Sequence, residues 1–256
     1  MNHNFMNFLL QLYNLILFQP LLNGLVLLYV FVSGRDLGIA VIILTLIIRI
    51  ILHPVSLKGM KSQKALSTLQ PKIKDIQEKF KNDRQQQSVA MMELYRKEKI
   101  SPASGCLPLL LQLPIIIALY QVFLHGFDSQ FLASNLYSFV PNPGAIGTTF
   151  LGVFNLQDKI FVLALAVSAG LAQYWQTKIA GSFAAGPGVG KGDIASMMQK
   201  QMLYIFPVLT VFIIYRIGGL IGVYWLFSTL ISVGEQYLVN YRLKLAPITK
   251  SKNENG

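Results

Sequence analysis

The 256-residue chain has little charge and almost no cysteine. Charged residues make up 13% of it and hydrophobic residues 53%, so it carries about half the charge of a typical soluble domain. The single cysteine, Cys106, excludes an internal disulfide and a cysteine cluster for metal. The three histidines lie far apart and none has HExxH spacing, which argues against a membrane zinc protease. This composition is typical of a polytopic membrane protein.

Basic residues are absent before Arg35, so the apolar N-terminal segment lacks the basic region that opens a signal peptide. This segment is interrupted, which predicts two pieces of about a dozen residues each. The interrupting residues are Gln19, Pro20, Asn23 and Gly24. For residues 1–35 we therefore expect extracytoplasmic helices that lie at the membrane interface, with a sixth span as the alternative.

Five later apolar runs have lengths suited to membrane-spanning helices, although the fourth is short and needs tilt. The predicted fold class is an all-α polytopic membrane protein with a five-span helical core. The predicted order is first span 36–57, cytoplasmic helical hairpin 58–104, second span 105–125, external loop 126–158, third span 159–178, cytoplasmic loop 179–201, fourth span 202–216, fifth span 220–240 and basic cytoplasmic tail 241–256.

The 22 basic residues are distributed unevenly, and their distribution predicts the orientation. Eleven lie between Lys58 and Lys99 and four between Arg242 and Lys252, whereas residues 1–34 and 126–158 have none. Because basic segments stay in the cytoplasm, the first span should enter from outside and the C-terminus should end inside.

The segment after the first span has two apolar stripes at helical spacing. The first consists of Leu66, Leu69, Ile73, Ile76 and Phe80; the second consists of Val89, Met92 and Tyr95, with Met91 and Leu94 beside them. A polar break at Asn82 and Asp83 separates them, which predicts an antiparallel hairpin whose helices bury each other's stripes. A solvated loop is the simpler alternative. The excess of six basic residues would suit anionic headgroups, ribosomal RNA or an acidic partner.

Arg49 lies inside the first span, where an arginine costs ~2.5–3.5 kcal/mol on insertion scales. Snorkelling is one explanation, because Arg49 is about eight residues, roughly 12 Å, from the cytoplasmic end. The other is a wet cavity, because Thr45 lies one turn deeper on the same face.

Isolated polar residues in the other spans either join helices by hydrogen bonds or line one cavity with Arg49. They are Gln112, Gln173, Gln176, Glu235 and Gln236. Glu235 is the only acid inside a span, and we hypothesise that it pairs with Arg49. The spans contain no Ser/His/Asp set or carboxylate pair, which argues against an enzyme. The stretch "GPGVGKGD" at 186–193 fails the phosphate-loop spacing and predicts a flexible linker.

Several motifs together resemble the YidC/Oxa/Alb membrane protein insertases over about residues 17–242. These are the Thr45–Arg49 pair before Pro54, "LQPKI" in the hairpin, "GCLPLLLQLPI" at the second span, and "YW" and "EQY" in the fifth. The sequence departs from the family in "RIGGLIGVYW" before the fifth span and in having Glu235-Gln236 where paired glutamines are usual. We also expect no large extracytoplasmic domain before the first span, in contrast to some bacterial members of the family.

The resemblance implies a hydrophilic groove that opens to the cytoplasm and to lipid, with Arg49 at its centre. By position, Thr45, Tyr224 and Trp225 would line the slide for an incoming apolar segment, and Gln112 would line the groove. Gln173, Glu235 and Gln236 are further candidate groove partners. The implied partners are nascent membrane proteins, membrane lipids, the ribosome and the Sec translocon.

The resemblance also implies a location in the bacterial plasma membrane. We expect no cofactor, no metal and no DNA partner. Two other functions remain open at this point: a small-solute or ion transporter, for which no inverted repeat is visible, and a non-catalytic scaffold for membrane assembly.

Overall fold

The computed structural model describes residues 3–101, 107–125, 128–180 and 201–245, which are almost entirely helical. The helices are α1 (His3–Tyr13), α2 (Gln19–Leu27), α3 (Leu37–Thr68), α4 (Gln70–Lys79), α5 (Arg84–Lys97), α6 (Leu107–His125), α7 (Ser129–Asn135), α8 (Lys159–Ala180), α9 (Phe206–Ile217) and α10 (Gly219–Leu245). Strands β1 (Thr149–Phe150) and β2 (Phe154–Asn155) form a short antiparallel hairpin. The all-α membrane class is confirmed at this level. Cys106 and the 186–193 stretch lie outside the described residues.

The N-terminal segment is one continuous helix, so the predicted interruption is wrong. The π-helical turn Asn14–Phe18 joins α1 to α2, and a second one, Leu28–Val32, follows α2. A wider turn just before Pro20 accommodates a residue that has no N–H to donate and whose ring would crowd a regular turn. The helix is therefore long and apolar enough to cross a membrane.

Three described helices have the length and composition of membrane spans: Phe5–Val32, Leu37–Thr68 and Lys159–Ala180. Two shorter apolar helices, Gln112–His125 and Leu203–Ile217, lie in the predicted second and fourth spans. The predicted fifth span lies within α10, whose 27 residues include serine, threonine, glutamate and glutamine side chains. Membrane crossing by all five helices of the predicted core thus stays a prediction.

α3 extends well beyond the predicted end of the first span. It continues through Pro54 and ends at Thr68, so the helix does not end at residue 57, where the hairpin was predicted to begin. At its other end Asp36 is the N-cap, because one carboxylate oxygen accepts from Ile39 N at 2.9 Å. The other oxygen accepts from Gly152 N at 3.0 Å and so ties α3 to the β-hairpin.

The core is a bundle in which α8 packs against α9 and α10, and α10 packs against α3. Small residues allow these close approaches. A Cβ on Gly170 of α8 would lie 2.6 Å from the Val211 side chain of α9. A Cβ on Gly219 would lie 2.4 Å from the backbone oxygen of Leu156, which precedes α8. Backbone packing therefore sets the positions of α8, α9 and α10 closely.

The predicted external loop, 126–158, is ordered where described and is joined to the N-terminal helix through Asn23. The Asn23 side chain is buried and donates to Gln19 O at 2.8 Å and to Asn135 O at 3.1 Å. It also accepts from Tyr137 N at 2.7 Å. A residue that was expected to interrupt the helix instead connects it to this loop.

The predicted cytoplasmic segment contains two helices, α4 and α5, separated by a turn that ends at the N-cap Asp83. The predicted mutual burial of their stripes is wrong for Val89 and Met92 of the second stripe, whose other members, Met91, Leu94 and Tyr95, are half-buried. Leu69 and Ile73 are buried, whereas Val89 and Met92 are 55% and 64% exposed. The two short helices contact each other at few places, and none of the described residues buries Val89 or Met92 of α5.

Candidate functional site

Arg49 is held on the inner face of α3 by a serine of α10. Its side chain is 16% exposed, and its Nε and Nη2 donate to Ser228 Oγ at 3.0 and 2.6 Å. A neutral hydroxyl thus accepts from one edge of the guanidinium without neutralising its charge. The side chain is fixed toward α10 and does not extend along α3 toward the end that is predicted to be cytoplasmic, which disfavours the snorkelling explanation.

Glu235 lies about two turns beyond Ser228 on the same face of α10, and it is shared between two residues of α3. Its Oε1 lies 2.5 Å from His53 Nδ1, and its Oε2 lies 4.0 Å from Arg49 Nη1. The hypothesised pair with Arg49 is therefore present as a long ion pair, and histidine is the closer partner. Glu235 is buried, and its Oε2 accepts no hydrogen bond from any described residue.

Gln112 of α6 extends this polar line to a third helix. Its side-chain amide donates to the hydroxyl of Tyr224, which is 2% exposed, one turn before Ser228 on α10. The line of polar side chains therefore runs from α6 across α10 to α3, inside an otherwise apolar bundle. Its members are Gln112, Tyr224, Ser228, Arg49, Glu235 and His53.

A second set of polar contacts joins α8 to α10. Trp225 Nε1 donates to Gln173 Oε1 at 3.1 Å, and Gln176 Nε2 donates to Ser232 Oγ at 2.7 Å. Gln236 is 2% exposed and its amide contacts Asn240 within α10 at 3.5 Å. Gln173 thus serves to join helices, and Gln236 does not reach the Arg49 line.

Two residues assigned by position to the substrate slide are buried. Thr45 is fully buried, and its hydroxyl donates to Val41 O of its own helix at 2.6 Å. Tyr224 turns inward, and its hydroxyl accepts a hydrogen bond from Gln112. Helix packing covers both side chains, and their role in the slide stays a prediction. Trp225 is partly exposed and keeps that role as a prediction.

The sequence reasoning missed Ser228 and the pairing role of His53. A signal for both was present: His53 follows Arg49 by four residues, and Ser228, Ser232 and Glu235 recur at four and three residues along α10. Among the described residues no three histidine, cysteine, aspartate or glutamate side chains group as metal ligands. What the arrangement can do is offer a partly desolvated cation and hydrogen-bond donors to an acceptor group.

Comparison with known proteins decides the family. A family model described as 60Kd inner membrane protein matches residues 27–246. The chain belongs to the 60Kd inner membrane protein family. The resemblance to the YidC/Oxa/Alb insertases is thereby confirmed.

Three bacterial relatives of this 60Kd family member have the same name. A "Membrane protein insertase YidC" of Fusobacterium nucleatum is 37% identical over 207 residues, which are 80% of this chain and 86% of that protein. Proteins of the same name from Helicobacter pylori and Wolinella succinogenes are 34% and 33% identical over 83% and 81% of this chain. The chain spans about a third of those two longer proteins, 34% of each.

Proposed function

We propose that this protein is a membrane protein insertase that helps nascent membrane proteins enter and fold in the bacterial inner membrane. The observation that carries the proposal is Arg49, held on a polar line shared by α3, α6 and α10. Family membership and relatives named as insertases support it. Substrates would be nascent membrane proteins, alone or delivered with the Sec translocon, and the basic hairpin would offer a surface to the ribosome or to lipid headgroups.

The proposed topology has five core spans, with the N-terminus outside and the C-terminus in the cytoplasm. The charge distribution supports it, since basic residues are concentrated in the segments placed inside. The continuous helix Phe5–Val32 is a candidate sixth span before them, and if it crosses the membrane the N-terminus lies in the cytoplasm instead. In this arrangement the Arg49 line opens toward the cytoplasm and lies part-way across the bilayer.

The mechanism requires no covalent chemistry. A polar segment crossing bare lipid leaves backbone and charged groups without hydrogen bonds, at several kcal/mol each. A hydrated groove reaching part-way across shortens that barrier, and Arg49 supplies a positive site for a passing carboxylate. Burial of the substrate's apolar helix and the membrane potential provide the driving force.

The test uses the purified protein in liposomes and one single-span substrate whose translocated tail is either acidic or neutral. Arg49→Ala should slow insertion of the acidic substrate by about tenfold and leave the neutral one nearly unchanged. Arg49→Lys should rescue only in part, because one ammonium does not replace the fork that contacts Ser228 and faces Glu235 together.

Equal loss for both substrates would contradict the electrostatic role of Arg49. Wild-type liposomes that insert neither substrate would contradict the insertase function itself. Solute flux through the same liposomes without insertion would favour a transporter, and a lack of both activities would favour a scaffold.

A further inference from the structure

The position of Glu235 raises a question about the availability of Arg49. A carboxylate this close to a guanidinium ordinarily forms a bidentate pair with two short hydrogen bonds. Here the Arg49 Nη1 and Glu235 Oε2 atoms are 4.0 Å apart, although Oε2 has no other described partner. The pair is thus held open in a site where both groups are largely removed from water.

Contacts on both sides explain the gap. Ser228 Oγ accepts from Nε and Nη2 of Arg49. These two donors form the edge of the guanidinium at which a carboxylate can bind with two hydrogen bonds, so that edge is already occupied. His53 holds the opposite oxygen of Glu235 at 2.5 Å. Because His53 lies one turn from Arg49 on α3, moving Glu235 fully onto Arg49 would require giving up the His53 contact.

We infer that Glu235 is an internal counter-ion that competes with acidic substrate segments for Arg49, and that His53 limits this competition by holding one carboxylate oxygen. The inference rests on the proposed function and deepens it, since it sets which tails the site accepts. Glu235 lowers the cost of keeping Arg49 in the bundle when no substrate is present. An entering carboxylate then replaces it at Nη1, while Glu235 stays on His53.

Glu235 and His53 are positioning residues in this account, because both act through Arg49. Their substitutions should therefore shift substrate preference in opposite directions, which a merely structural role does not do. Loss of the glutamate charge exposes Arg49, whereas loss of the histidine lets Glu235 close onto Arg49.

The experiment measures the ratio of insertion rates for acidic and neutral tails in liposomes containing the full-length protein. Glu235→Gln should raise the ratio by about threefold or more, and His53→Ala should lower it by a similar factor. His53→Asn keeps a donor near the Nδ1 position and should restore the wild-type ratio. The double variant of His53→Ala and Glu235→Gln should match Glu235→Gln alone, because His53 acts only through Glu235.

Glu78→Gln on α4 is the matched control, since it removes the same charge from an exposed site and should leave the ratio unchanged. An unchanged ratio in Glu235→Gln, or a raised ratio in His53→Ala, would overturn the inference. Both outcomes are distinct from failure of the proposed function, in which the wild-type protein inserts neither substrate. His53 is the more exposed of the pair, so His53→Ala tests the inference even if Glu235→Gln fails to fold.

Discussion

The helical bundle and the hairpin of α4 and α5 use polar residues in opposite ways. In the bundle, polar side chains are few and buried, and they join one helix to another, as Arg49 joins Ser228 and Trp225 joins Gln173. In the hairpin, charges are many and exposed, and its two arms are linked by the ion pair of Lys72 with Glu98 at 2.5 Å and by Gln87 Nε2, which donates to Gln77 O at 3.4 Å.

The difference determines how strongly a single substitution should affect each region. An unpaired polar group in the bundle costs a large part of the stability of the fold, so position and partner are tightly specified. A surface charge on the hairpin costs little to change, so any binding role there is spread over the whole basic surface. Substitutions should therefore have large local effects in the bundle and small ones in the hairpin.

The largest effect is expected where backbones touch in the bundle. Gly219→Ala should lower the free energy of unfolding by about 3 kcal/mol, because the new Cβ would lie 2.4 Å from Leu156 O, an atom of the backbone that has little room to move. Thermal unfolding in detergent measures the effect. Gly234→Ala on the same helix is the control, since nothing lies within 4 Å of that position.

Gly234→Ala should be neutral or stabilising by up to about 1 kcal/mol, because alanine restricts the unfolded chain. Equal behaviour of the two variants would mean that α10 does not pack tightly on Leu156. The contrast between a rigid bundle and a tolerant hairpin would then be lost.

A smaller loss is expected at Asn23, where one amide makes three hydrogen bonds, two of which join the N-terminal helix to the 126–158 loop. Asn23→Ala should cost about 2 kcal/mol, since Tyr137 N and Asn135 O lose a buried partner. Faster hydrogen exchange at Tyr137 is the measurement. Asn142→Ala, on an exposed turn, should change neither exchange nor stability.

Sequence patterns predicted those parts of the molecule that depend on local rules. Periodic apolar residues located the helices, and the polar break before Arg84 located the hairpin turn, because an aspartate N-cap acts on its own backbone. Continuity of the helix through Pro20 was not predictable, since a π-helical turn and a distant loop together accommodate the proline and Asn23. The network at Arg49 was predictable only in part. Glu235 was identifiable because it is the sole acidic residue in a predicted span. Ser228 was not, because α10 contains several serine and threonine residues and which of them contacts Arg49 depends on helix packing.

The smallest effect is expected in the hairpin, where Val89→Ala should change stability by less than about 0.5 kcal/mol because the side chain is 55% exposed. Ile73→Ala on the facing helix is the matched truncation; Ile73 is buried, so it should loosen α4 by about 2 kcal/mol. Limited proteolysis of the hairpin compares the two. Equal protection loss would mean that the α5 stripe is buried in the hairpin after all, as the sequence pattern predicted. Unequal loss would mean that Val89 and Met92 form an exposed apolar surface on α5. A substitution at such a surface should change binding to partners rather than the stability of the fold.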